Sequence, residues 1–198
     1  MRHTRWLGLV FLLVAAWTGA ARASDAYTLD QTDGSIEFTV TRLGLFPSHG
    51  VFHRFLVNLS LDSVDPYQSR IVVTMDAGSA RMDGPRATEI LLSPDFFDTA
   101  RFPSIRFVST HITRREPGHY VVEGLVELRG ITRPFSLDTR LVAEHPDSSS
   151  QAEIADFVAT GTLQRASFGM TADPLIISDA IGINIRARLL LPARFYGG

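Results

Sequence analysis

Ile181, Ile183, Ile185, Ala187, Leu189 and Leu191 occupy every second position near the C-terminus, with Gly182, Asn184, Arg186 and Arg188 between them. A period of two places all six apolar side chains on one face of an extended strand, and that face has to be covered. The same rhythm recurs at Ile36/Phe38/Val40, Phe55/Val57/Leu59/Leu61, Ile71/Val73/Met75, Tyr120/Val122/Gly124/Val126/Leu128 and Phe135/Leu137/Thr139/Leu141. Turn signals separate the runs at Asp33-Gly34, Asp65-Pro66, Pro117-Gly118 and the polar stretch from His145 to Ser150. One segment departs from the rhythm: Arg86 to Leu92, after Gly84-Pro85, predicts a short helix. The pattern predicts an all-β fold, a single antiparallel barrel of about eight strands with one short helical insertion. A closed sheet removes exposed edges, and eight strands enclose either packed side chains or one small ligand.

Residues 1–23 read as a signal peptide. Arg2 and Arg5 precede an almost unbroken apolar run from Trp6 to Ala20, and Ala21-Arg22-Ala23 has the small-x-small form of a cleavage site. The run is shorter than the ~20 residues of a spanning helix, so no stable membrane anchor is expected once it is cut. Residues 24–198 are then one domain. The chain contains no Cys, which excludes disulfides and lipid attachment through a thiol, so the core alone must hold the fold. Removing Arg2, Arg5 and Arg22 takes the net charge from −2 to −5. No basic run remains, and a nucleic-acid surface needs one.

No nucleophile motif, phosphate-binding Gly loop or metal-ligand set stands out, so no catalytic residue, metal or cofactor is predicted. His49 and His53 have i, i+4 spacing, but on a strand that separation is ~13 Å, too far for one ion. His111 lies two residues from Ser109 and four from Phe107, yet Val108 and Ile112 make the opposite face equally apolar. Asp95, after Pro94, suits a turn cap. What the chain has in surplus is apolar bulk, including thirteen Phe. Ligand pockets are mostly apolar with a few convergent polar groups. Phe38, Val40, Val73, Phe107, Val122 and Leu137 lie on the apolar sides of their strands and are the predicted lining. Phe52, Phe96, Phe97 and Phe168 add aromatic wall. Arg42, His49 and Arg165, near strand ends, are the candidates for meeting a polar head group.

The most distinctive segment is Pro94 to Phe107, Pro-Asp-Phe-Phe-Asp-Thr-Ala-Arg-Phe-Pro-Ser-Ile-Arg-Phe. It is followed by Gly124-Leu125-Val126-Glu127-Leu128-Arg129-Gly130-Ile131-Thr132-Arg133-Pro134-Phe135 and by Arg165-Ala166-Ser167-Phe168-Gly169-Met170, and preceded by Tyr27-Thr28-Leu29-Asp30 and Gly50-Val51-Phe52. In this order the blocks resemble the YceI-like family of secreted bacterial lipid-binding barrels, over about residues 26 to 191. The resemblance implies a lipocalin-like, extended barrel in the periplasm. Its interior would hold a long-chain isoprenoid or other amphiphilic lipid, such as a polyisoprenoid or isoprenoid quinone, tail inside and head near the mouth. It leaves a homodimer open. Two positions depart from the family: Arg42 stands where relatives carry His before Leu-Gly, and Ile90 replaces the His of the helical insertion. The alternative reading is a packed, ligand-free barrel acting as a stress-response or adhesion scaffold.

Overall fold

The computed structural model describes residues 25–30, 32–62, 66–149 and 152–192; the expected signal segment lies outside them. The strands are β1 Asp25–Asp30, β2 Gly34–Arg42, β3 Phe46–Phe52, β4 Phe55–Leu61, β5 Arg70–Asp76 and β6 Ala80–Met82. After a helix, α1 Pro85–Leu92, come β7 Ser104–Glu116, β8 His119–Leu128, β9 Ile131–Pro146, β10 Ala152–Gln164 and β11 Ile177–Pro192. All pair antiparallel in one sheet, in the order β1-β4-β5-β7-β8-β9-β10-β11-β2-β3-β6.

The two ends of that order belong to one hairpin. Asp30 of β1 pairs with Leu56 of β4, and Ile36 of β2 pairs with Phe52 of β3. Only residues 31–33 separate β1 from β2, and only His53-Arg54 separate β3 from β4. Two long strands therefore run side by side, bend together, and pass from the β11 side of the sheet to the β5 side. Bent strands that change partners are how a sheet turns a corner and closes. The sheet thus has eleven strands where the sequence predicts about eight; the excess comes from the breaks between β1 and β2 and between β3 and β4 at this bend, and from the three-residue β6. Asp33-Gly34, read as a turn, is this bend. The Arg188 amide donates to the Asp33 carbonyl, and a β-carbon on Gly34 would sit 2.0 Å from the Arg186 oxygen.

The other corner is held by polar groups. Ser79 is buried; its hydroxyl accepts from the Arg54 amide at 3.0 Å and donates to the Asp76 carbonyl at 2.7 Å. Arg54 forms an ion pair with Asp76 at 2.5 Å, and its hydrogen bond holds the Asp76 carboxyl below the ordinary aspartate value. Asp156 of β10 and Arg188 of β11 are register partners joined by two hydrogen bonds, at 2.7 and 3.0 Å. That hydrogen bonding, more than simple attraction between the charges, lowers the Asp156 pKa. A depressed carboxylate contributes stability that is fully present above its unfolded pKa, ~4, and lost as pH falls through the folded value. Arg188→Gln should therefore lower stability at neutral pH and flatten the acid limb below about pH 4, measured by urea unfolding across pH. An unchanged acid limb would show that the pair contributes nothing.

The inward faces are the apolar ones. Buried residues from β2, β3, β4, β5, β7, β8, β9, β10 and β11 form one cluster with Leu91 of α1 and the Phe96-Phe97 segment. A smaller cluster, Leu29, Leu59, Ala155, Leu189 and Leu191, lies toward the opposite end, and all but Ala155 line the barrel cavity. Three inward glycines admit rings. A β-carbon on Gly50 would lie 2.1 Å from the Phe38 ring, on Gly124 2.5 Å from Phe107, and on Gly161 2.7 Å from Phe135. Phe107 and Phe135 then meet edge to face at 6.0 Å. Gly182, by contrast, is exposed.

Candidate functional site: a tunnel through the barrel

A cavity of about 1180 Å³ runs through the barrel, above the ~300–1,000 Å³ of ordinary ligand pockets. Its lining follows β11 from Ile177 to Leu191 and β9 from Phe135 to Glu144. All six alternating residues of β11, Ile181 to Leu191, line it. So do Phe38, Val40, Phe52, Val73, Phe107, Val122 and Leu137.

At one end α1 and the segment after it form a lid. Pro85 occupies the first helical turn, where its missing amide costs nothing. The chain then folds back: the Phe97 amide donates to Leu91 O at 2.9 Å and the Asp98 amide to Ser93 O at 2.8 Å. Arg129 donates to the carbonyls of Pro94 and Phe96 from across the barrel end. Phe96 and Phe97 are both buried and line the cavity. Phe97 stacks on Phe52 at 6.0 Å and tilts against Phe38 at 6.1 Å. Asp98, not Asp95, is the buried carboxylate here.

Polar groups on the wall gather toward the ends. At the α1 end are Arg42, Ser48 and Asp83; at the other are Asp62, Arg114 and Glu144. Exposed residues lie among the lining at both ends, Arg42 and Ile90 at one, Arg114 and Glu144 at the other, so the cavity reaches the surface twice. The three polar candidates separate clearly. Arg42 lines the mouth, is exposed, and makes no side-chain hydrogen bond or ion pair among the described residues. Arg165 lines the wall but is 3% exposed, and its guanidinium donates to four backbone carbonyls: Ser178 at 3.0 Å, Met170 at 2.6 Å, Ala172 at 2.7 Å and Ile177 at 3.0 Å. It clamps the β10–β11 connection. His49 lies on the outer face, 3.1 Å from the Thr39 hydroxyl, because strand alternation sends Ser48 and Gly50 inward and His49 out. Phe168 is also apart from the cavity, buried beneath a 3-10 turn at Arg165–Phe168.

His111 is exposed and packs on Tyr67 at 5.1 Å. Pairing shifts between Ser109 and His111, so Thr110 is an extra residue that turns His111 outward and Ile112 inward. Tyr120 and Thr139, which the alternation of β8 and β9 places on covered faces without marking them as lining, are wall residues too, as is Ala159 of β10.

A family profile described as "YceI-like domain" matches residues 27–189. The chain belongs to the YceI-like family. A UPF0312 protein of Serratia proteamaculans is 29% identical over 169 residues, covering 84% of this chain and 86% of that one. Among solved structures, the fold resembles Burkholderia cenocepacia BcnA, with a TM-score of 0.70 at 17% identity over 79% of this chain and 96% of that one. It also resembles a polyisoprenoid binding domain from Saccharophagus degradans implicated in plant cell wall breakdown, with a TM-score of 0.57 at 10% identity over 85% and 99%. The YceI-like barrel is thus preserved here at low sequence identity, with Arg42 at the mouth.

Proposed function

We propose that this YceI-like protein is a non-catalytic carrier that holds a long amphiphilic lipid, a polyisoprenoid or isoprenoid quinone, with its tail in the tunnel and its head at a mouth. It works in the periplasm, exported by residues 1–23, and carries no permanent membrane anchor. The observation that carries the reading is the cavity itself: about 1180 Å³, walled by alternating apolar side chains, with its exposed charged groups toward its two ends. A packed scaffold would have no use for such a volume. The Saccharophagus domain's description as polyisoprenoid binding supports the ligand class.

An isoprene unit adds five carbons, and burial contributes ~0.8 kcal/mol per CH₂. Affinity should therefore climb steeply with chain length, then level off when the tunnel is full. Val122 is 3% exposed and faces the cavity. Val122→Trp should shorten the longest chain accepted while leaving short ligands bound. Arg42→Gln should weaken binding of anionic or strongly polar heads alone. Competition against a fluorescent fatty probe reads all three. A flat response to chain length would sink the carrier and favour the packed scaffold.

A further inference from the structure

Five large apolar side chains that stand exposed among the described residues crowd one mouth. Leu43, Leu45 and Phe46 at the β2–β3 turn are 61%, 78% and 57% exposed; Leu175 and Ile176, just before β11, are 91% and 48% exposed. The two tips are tied together: the Leu43 amide donates to Ile176 O at 2.7 Å, the Thr41 amide to the Ser178 hydroxyl at 2.9 Å, and Arg42 pairs with Ile177. Neither tip, Leu43-Gly44-Leu45-Phe46-Pro47 or Pro174-Leu175-Ile176-Ile177, contains a charge. Isolated exposed leucines are ordinary, whereas a contiguous apolar patch marks a contact surface. The turn also puts Leu where the backbone disfavours it. Leu43 and Gly44 have φ of +49° and +69°, and Leu45 N donates to Arg42 O at 3.1 Å. In this three-residue connection Leu43 and Gly44 are the central residues of a tight turn, and a positive φ at the first of them is usually met by Asn, Asp or Gly.

We propose that this lip docks the protein on the surface of a lipid bilayer, so that the amphiphile moves between membrane and tunnel without crossing water. The proposal rests on the carrier reading. Continuity decides the occupant: Arg42 and Ile177, the residues directly beneath the lip, line the cavity, so whatever the lip enters faces the tunnel mouth. Apolar tips of this size enter the headgroup–acyl boundary reversibly, without an anchor. The Arg42 guanidinium stands at the level of the phosphates. A second copy seated on the lip would instead close the mouth through which the ligand passes.

The test uses protein purified from the soluble fraction of its host, as the cell processes it, with vesicles of phosphatidylethanolamine and phosphatidylglycerol. Leu45→Asp/Leu175→Asp should lower the fraction that floats with vesicles at least about tenfold, since two inserted leucines are replaced by carboxylates. Transfer of a fluorescent prenyl lipid from vesicle to protein should slow by a similar factor. Uptake of a fluorescent fatty acid from solution should be unchanged. Val142→Asp, at an exposed site on β9 (59%), should match the parent in all three. Equal flotation of parent and lip variant, or a parent that does not float, overturns the docking. A parent dimer that the lip variant splits, with no flotation, overturns it in favour of self-association. A parent that floats through its lip yet takes up no probe from solution keeps the docking and removes the carrier.

Discussion

Replacing Phe96 and Phe97 together by Ala should bring the protein close to unfolding. Both rings are buried, 7% and 6% exposed, and Phe97 completes a three-ring cluster, stacked on Phe52 and tilted against Phe38. Truncating one buried Phe costs ~3–5 kcal/mol, and a domain has ~5–15 kcal/mol in all. The two rings share one pocket, so their costs need not add, and their cavity-facing sides begin with fewer contacts. Urea unfolding followed by circular dichroism should nonetheless give a loss of at least ~5 kcal/mol. A loss under ~1 kcal/mol, the scale of a surface substitution, would mean that the lid is not part of the core.

Arg165→Ala should be the most damaging single change to a polar residue. Four carbonyls around the β10–β11 connection would lose their donor, and hydrogen bonds to a charged group are worth ~1.5–3 kcal/mol each. Water can reach some of the freed carbonyls, so the loss falls short of that sum but should still be at least ~3 kcal/mol. Arg165→Lys should rescue little of it, because an ammonium cannot reproduce the planar fork that spans Met170, Ala172, Ile177 and Ser178. Should Arg165→Ala fold with full stability and lose affinity for a charged head group instead, the clamp would be wrong and Arg165 a ligand contact.

The barrel wall was legible because alternation is a local property: every apolar face named on β2, β5, β9 and β11 is an inward face. What local pattern does not hold is which strand pairs with which. Asp33-Gly34 has the composition of a hairpin turn, and only the pairing of β1 with β4 and of β2 with β11 makes it a bend. His111 was ambiguous for the same reason, since one inserted residue, Thr110, decides which side faces in. Arg165 carries no local signature because its partners are backbone carbonyls. The Leu43–Phe46 lip was hidden in another way: Leu-Gly-Leu-Phe reads as core unless its solvent exposure is known.

The bent hairpin has a consequence for how long the nascent chain stays vulnerable. Ile36 and Ile185 pair although roughly 150 positions separate them. At ~5–20 residues per second of synthesis, β2 waits about 7–30 s for the strand that covers its flank. Throughout that time an apolar strand with an unpaired edge is free to join a neighbouring chain. Closure also rests on the most distant strand pairing among the described residues, and pairing across such a span slows folding. A chaperone that holds the N-terminal third until β11 arrives would act on the step at which the chain is most exposed to misassembly.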